Sequence, residues 1–356
     1  MTQRPTTITR TQIGDEHFEL ASDDVYLENM QGVFEPDSVE LFRLLIKPID
    51  VVLDVGANIG CTALLLSGIA KKVIAFEPSP TTFGYLKRNV EAAGRTNVEV
   101  VNAGLGRAPA KMNIVFSPDN RSGGFVSQTG LAGHTMEEIE ILQGDKHLAN
   151  EPRVDVIKID VEGFEKEVIS GLAETIQRHR PVVVLELNHW CLNAFQRMSV
   201  PDFLDFLRSV FPVLYAKDQH DAKDLHDTQQ AYGVMHDHIV HFKYPAIVGA
   251  FSEDQVDAFL ERYVRNPPPA PPPFDPMARI AVLEDERRIL DSALAAERAR
   301  AEAVRLEATA KLGHVEAKLL EAVQQRQALA NEIEALRNST SWRVTSPLRA
   351  VKRLVQ

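Results

Sequence analysis

The sequence predicts an α/β fold built on a doubly wound, mostly parallel, Rossmann-like sheet, and three observations predict it. Short apolar runs at 51–55, 72–77 and 98–103 alternate with helical patterns at 61–70 and 80–93. Strands separated by helices pair in parallel and bury both faces, so their runs are apolar throughout. The first run breaks at Gly56 and Gly60 directly before a helix, which places a ligand at the C-terminal ends of the strands. Glu77 then closes the second run about 20 residues after the first glycine, the ribose-contacting position of a nucleotide-binding unit.

The residues at that turn choose the ligand. The turn is expected to offer backbone N–H groups and a positive helix end. A dinucleotide wants G-x-G-x-x-G so that its pyrophosphate can lie on the turn, but Asn58 and Cys61 stand at the second and third glycine positions. Asp54 would repel a phosphate and suits a cation, such as the amino group of a methionine moiety. S-adenosylmethionine (SAM) is therefore expected rather than NAD, with Asp54, Gly56, Ala57, Asn58, Gly60 and Glu77 around it. Asn102 and Gly104, closing the third strand, are expected at the adenine.

Four motifs now carry a resemblance. Asp54-Val-Gly-Ala-Asn-Ile-Gly60, Phe76-Glu-Pro78, Val101-Asn-Ala103 and Ile157-Lys-Ile-Asp-Val-Glu-Gly163 resemble, in order and spacing, the FkbM family of SAM-dependent methyltransferases over about residues 30–245. The resemblance implies a class I SAM methyltransferase fold and transfer of a methyl group to oxygen (EC 2.1.1.-), often on a sugar or polyketide hydroxyl.

The remaining elements follow in order. Residues 1–50 form a cap segment over the pocket, with a helix at 38–46 for which Asp37 and Ser38 are cap candidates. In the methyltransferase domain, 51–265, a strand is expected at 112–116. Residues 117–125 read as a polar loop over the ligand edge, either an acceptor-binding element or a plain connection. His134 and Glu137 to Glu140 read as a solvated helix start. A strand at 155–160 leads to a helix at 163–177, and a buried strand at 181–187 leads to Asn188-His189-Trp190. His236, His238 and His241 fit an alternating strand at 237–242, and zinc is not expected because no Cys or carboxylate stands at ligand spacing.

Residues 266–276 form a Pro-rich, extended linker. From 277 to 337 apolar or Ala residues recur every seven positions, at Ile280, Leu294, Ala301, Ala308, Val315, Ala322, Leu329 and Leu336, with Arg287 the exception. Their partners shift from Leu283, Leu290 and Val304 to Leu312, Leu319 and Ile333, a four-residue stutter near Gly313. This predicts a coiled coil of about 60 residues, about 90 Å long, and hence a homo-oligomer. The basic amphipathic tail, 338–356, carries Trp342, Arg343, Arg349, Lys352 and Arg353 without an acid. It resembles a C-terminal motif of bacterial cell-surface polysaccharide enzymes, and suits an anionic membrane surface or a polysaccharide-synthesis enzyme.

Composition narrows the classes. A net charge of −11 argues against nucleic-acid partners. Two cysteines, no apolar leader and no span-length apolar run predict a cytoplasmic protein, peripheral on the membrane at most.

A hydroxyl attacks well only as it loses its proton. The bases expected at the strand edge are Asp160, Glu162 and His189, with Glu186 beside them. A divalent ion held by Asp160 and Glu186 is the alternative, and metal-free catalysis is preferred. The acceptor expected is a sugar or glycan. The rival readings are a non-catalytic scaffold in a polysaccharide-synthesis complex and an O-methyltransferase of a small secondary metabolite.

Overall fold

Every residue of Val51–Val55 is buried, and its side chains divide between two cores, one on each face of the central sheet. Val52 joins Val73, Val156 and Val184 on one face, while Leu53 and Val55 join Ile74, Phe76 and Ile157 on the other. Fully burying such a side chain contributes about 1.5–3 kcal/mol, so the continuous apolar runs are the main force assembling the sheet. The computed structural model describes residues 5–117, 120–126, 133–269 and 276–338.

The strands, in chain order, are β1 (Thr7–Ile13), β2 (Glu16–Ser22), β3 (Val51–Val55), β4 (Lys72–Phe76), β5 (Val98–Val101), β6 (Gly104–Gly106), β7 (Ala110–Ser117), β8 (Asn120–Val126), β9 (Thr135–Gln143), β10 (Val156–Ile159), β11 (Val182–Glu186), β12 (Val213–Lys217), β13 (Ala222–Asp224) and β14 (Ala246–Ala250). The large sheet runs β13-β12-β14-β11-β10-β3-β4-β5. From β5 to β11 its neighbours are parallel, and β14 enters antiparallel between β11 and β12. Strand order reverses between β3 and β10, the position where open α/β sheets hold ligands. This is the class I methyltransferase arrangement that the motifs imply.

Two smaller sheets flank that edge: the hairpin β1–β2, and a four-stranded sheet in the order β6-β9-β7-β8. The second corrects two sequence expectations. Residues 117–125 hold most of strand β8 rather than one loop, and Glu137 to Glu140 lie in β9 rather than opening a helix. Ile139 and Ile141 are buried while Glu138 and Glu140 are exposed, the period-2 alternation of a half-buried strand.

Other boundaries move for local reasons. The cap-segment helix is Pro36–Leu45, beginning two residues early because Pro36 suits a first helical position; Asp37 and Ser38 lie inside it. The helix expected at 163–177 is two, Glu165–Gly171 and Ala173–His179. A Cβ on Gly171 would lie 2.0 Å from the Gly106 carbonyl oxygen, so this close approach admits only glycine. His236, His238 and His241 lie in the helix Thr228–His241, not in a strand; an apolar/polar alternation over six residues was too short to identify the period.

The chain divides into two compact units, Met1–Ala270 and Pro271–Gln356. In the second, the helix Pro276–Asn338 is continuous for 63 residues, and Leu290, Leu312, Leu319 and Ile333 of the expected seam are exposed within this chain. The basic tail lies outside the described residues beyond Asn338. Among the described residues, no helix is long and apolar enough to cross a membrane.

Candidate active site

The turn after β3 is shaped by close approach. Gly56 has φ +83°, and a Cβ there would lie 1.8 Å from the Asp160 carbonyl oxygen, so only glycine lets this turn pass β10. Gly60, at φ +102°, caps the next helix, Cys61–Ser67. Four N–H groups of the turn are engaged within the protein. Gly56 and Ala57 both donate to the Phe76 carbonyl, Asn58 donates to Glu77 Oε2 at 3.0 Å, and Gly60 donates to Ala57. A turn whose amides are engaged this way does not cradle a phosphate.

Asp54 is fully buried and lies outside the cavity lining. Its register partner across the sheet is Lys158, whose Nζ lies 3.4 Å from Asp54 Oδ1, 3.4 Å from Asp160 Oδ2 and 2.9 Å from the Gly56 carbonyl. Burial pulls the lysine pKa down, but Asp160 and Asp54 outweigh it and hold the ammonium above its ordinary range. Lys158 was missed in the sequence reading, although one lysine inside the buried run Val156–Ile159 was its signal: a buried charge needs a partner.

Beyond the turn lies a cavity of about 350 Å³, within the range of ligand sites. Gly56, Ala57, Asn58, Glu77 and Gly104 of the expected donor set line it; Asp54, Gly60 and Asn102 do not. Asn102 instead donates to the Glu77 and Pro78 carbonyls, holding the turn after β4. Glu77 accepts the N–H groups of Asn58 and Ser79, one on each oxygen, and each oxygen keeps a lone pair for a hydroxyl. Burial raises its pKa to about 7, the two N–H bonds opposing the rise.

Three carboxylates converge at the ends of β10 and β11. Asp160, Glu162 and Glu186 each line the cavity, and one oxygen from each lies within 4.8 Å of the others. Glu162, at φ +51°, accepts from Asn188 Nδ2 and Cys191 Sγ. Glu186 Oε2 is buried without a hydrogen-bond partner. Its pKa rises to about 10, through burial and then the neighbouring Asp160, Glu162 and Glu165. The Asp160 side chain is 44% exposed and so the most accessible of the three. Such an oxygen set suits a hard divalent cation, with Glu162 the member that sequence reading did not assign to it.

His189 does not join them. It is outside the cavity lining, and its ring packs against His238 at 5.0 Å and Phe242 at 5.4 Å. His238 is fully buried, its two nitrogens against the His189 N–H and the Lys243 carbonyl.

The opposite wall comes from the cap segment and the four-stranded sheet, including Tyr26, Glu35, Phe116 and Arg121. Arg121 forms a buried ion pair with Asp23, and its main-chain N–H donates to Asp24 Oδ2 at 2.9 Å. The Ser79 and Thr81 hydroxyls donate to Glu137 of β9. The first set joins the wall's two parts, and the second fastens it to the turn after β4.

The fold is of the class I methyltransferase kind. The family model of the methyltransferase FkbM domain matches residues 54–212. Hexuronic acid methyltransferase AglP of Haloferax volcanii is 33% identical over 150 residues, covering 41% of this chain and 60% of AglP. Methyltransferase 1 of Beauveria bassiana is 31% identical over 143 residues, 34% of this chain and 57% of that protein. The chain thus spans about 60% of the length of these two relatives. The 31-O-demethyl-FK506 methyltransferase FkbM of Streptomyces tacrolimicus is 29% identical over 202 residues, 47% of this chain and 73% of that enzyme. A crystal structure of methyltransferase FkbM from Methylobacillus flagellatus KT is 19% identical with a TM-score of 0.36, covering 52% of this chain and 44% of that one.

Proposed function

We propose that the chain is a SAM-dependent O-methyltransferase acting on a hydroxyl of a sugar or glycan, in cell-surface polysaccharide biosynthesis. One observation carries the reading: a single cavity joins the β3–β4 ligand edge, with Glu77 poised for hydroxyls, to a rim of three carboxylates. The match to AglP, a hexuronic acid methyltransferase by name, supports a sugar acceptor. A small secondary metabolite is the second reading, favoured by the match to an enzyme named for FK506.

SAM supplies an activated methyl group on a sulfonium. Glu77 accepts hydrogen bonds from ribose hydroxyls, the glycine turn allows close backbone approach, and the surplus of carboxylates over Lys158 favours a cationic donor. Asp160 would take the acceptor's proton as the hydroxyl oxygen bonds to the methyl carbon and the S–C bond to the sulfonium breaks, releasing the neutral thioether. Glu186, protonated at neutral pH, holds the acceptor oxygen by hydrogen bonding. If a divalent ion is used, Asp160, Glu162 and Glu186 are its ligands and it lowers the hydroxyl pKa. The test is mass spectrometry of nucleotide-sugars and glycans incubated with labelled SAM, with and without EDTA and Mg²⁺. A methylated saccharide supports the proposal, and transfer confined to non-sugar acceptors sinks it.

The exposed apolar side chains of the helix Pro276–Asn338 are assigned to a coiled coil with a second copy, because an isolated helix leaves that stripe in water. The tail is assigned to an anionic membrane or a synthesis partner. Sedimentation equilibrium of the full chain at tens of micromolar should show an oligomer; a monomer refutes the coil.

A further inference from the structure

We propose that the acceptor is a sugar bearing a cationic amino group, and that the charge of the cavity lining rejects acidic sugars. This rests on the sugar reading above and narrows it. Among the described lining residues, five are carboxylic acids, Glu35, Glu77, Asp160, Glu162 and Glu186, and two are cations, Lys158 and Arg121. Both cations are already engaged. The Lys158 ammonium stands 2.9 Å from the Gly56 carbonyl and 3.4 Å from both Asp54 and Asp160, one acceptor for each of its protons. Arg121 gives both terminal nitrogens to Asp23, and its Nε is sealed from solvent. Residues 118–119 and 127–132, which adjoin β8 in the sequence, contain neither lysine nor arginine. An acceptor carboxylate would therefore enter without a counter-ion, and a desolvated unpaired charge is costly.

The acids, by contrast, lack partners. Glu186 lines the cavity with Oε2 buried and without a hydrogen bond, an observation independent of the balance of charges. Burial, and then the neighbouring Asp160 and Glu162, keep that carboxyl protonated well above the ordinary carboxylate range. The same field acts on whatever enters. It opposes a further anion as it opposes ionised Glu186, and it favours an ammonium. Even with Glu186 and Glu77 taken as neutral, Glu35, Asp160, Glu162, Asp54 and Asp23 outnumber Lys158 and Arg121. SAM brings a sulfonium, an ammonium and a carboxylate, one net positive charge, which leaves the excess negative. The ammonium of an amino sugar reduces that excess further. Glu35, on the wall opposite the glycine turn, accepts the Ser38 hydroxyl at 2.7 Å on Oε2 and offers Oε1 to it.

The test uses methyl glycosides of glucosamine, glucose and glucuronic acid as acceptors for the full chain at saturating SAM. The glucosaminide should exceed the glucoside in kcat/KM by about tenfold, and the glucuronide should fall about tenfold below it. Glu35→Lys should cut the glucosaminide-to-glucuronide ratio about tenfold, and Glu35→Gln about threefold. A glucuronide that equals or exceeds the glucosaminide, with EDTA or with Mg²⁺, overturns the charge selection and leaves the sugar reading intact. A ratio unmoved by both variants overturns it too, because a charge on the lining must move it. If no glycoside is methylated, the proposed function fails, and calorimetry of the SAM-loaded chain decides the charge selection separately. Tighter binding of glucosamine than of glucuronate, by a margin that shrinks as salt rises, retains it. Equal or reversed affinities overturn it.

Discussion

The cavity has two walls made by different means. The donor wall comes from consecutive βα units, its residues falling within one turn of the ends of β3 and β4, and its conformation follows from local chemistry: Gly56 at positive φ, and Glu77 binding the N–H groups of Asn58 and Ser79. The acceptor wall gathers β8, β9 and the cap segment through contacts about 60 to 100 residues apart in sequence, such as Ser79–Glu137 and Arg121–Asp23. A wall of local origin is legible in the sequence; a wall of long-range origin is not.

Breaking the floor beneath both walls has the largest expected effect. Lys158→Met leaves Asp54 buried without its counter-ion, which should destabilise the unit by about 3–5 kcal/mol in chemical denaturation. Adding Asp54→Asn should recover part of that loss, and failure to do so would deny the pair its role.

On the acceptor side, Asp160→Asn should lower methyl-transfer turnover by about 10²-fold or more while SAM affinity in calorimetry changes only a few-fold. Equal losses in both would move Asp160 to the donor wall. Glu77→Ala, by contrast, should weaken SAM binding by about ten- to a hundredfold, the cost of about 1.5–3 kcal/mol for hydrogen bonds to a charged group. An unchanged dissociation constant would remove Glu77 from the donor site.

A further effect is a pH dependence. Burial, and then the neighbouring Asp160 and Glu162, hold the Glu186 carboxyl protonated well above the ordinary carboxylate range. A raised acid stabilises the fold fully below its unfolded pKa, and that contribution is lost as pH rises toward the folded value. Glu186→Gln stays neutral throughout, so its Tm advantage over the parent should grow between pH 5 and pH 9. Mg²⁺ raising the Tm of the parent at pH 8, but not of the variant, would sharpen the metal alternative.

The sequence by itself determined the parallel sheet and the glycine turn after its first strand, because a continuous apolar run, a glycine at a forced φ and an acid at a strand end act over fewer than about 25 residues. It also determined the long helix Pro276–Asn338, where one period repeats for many turns. Only the tertiary structure decided that Asp54 faces Lys158, that His189 turns away to His238, and that Glu162 and Glu186 meet beside Asp160. A residue at a strand end is legible as near the ligand edge, but its direction depends on neighbours brought in from other strands. Residues 117–125 and 137–140 were misread for the same reason: polar strands in a small sheet have no apolar run of their own, and their pairing with β7 supplies the order.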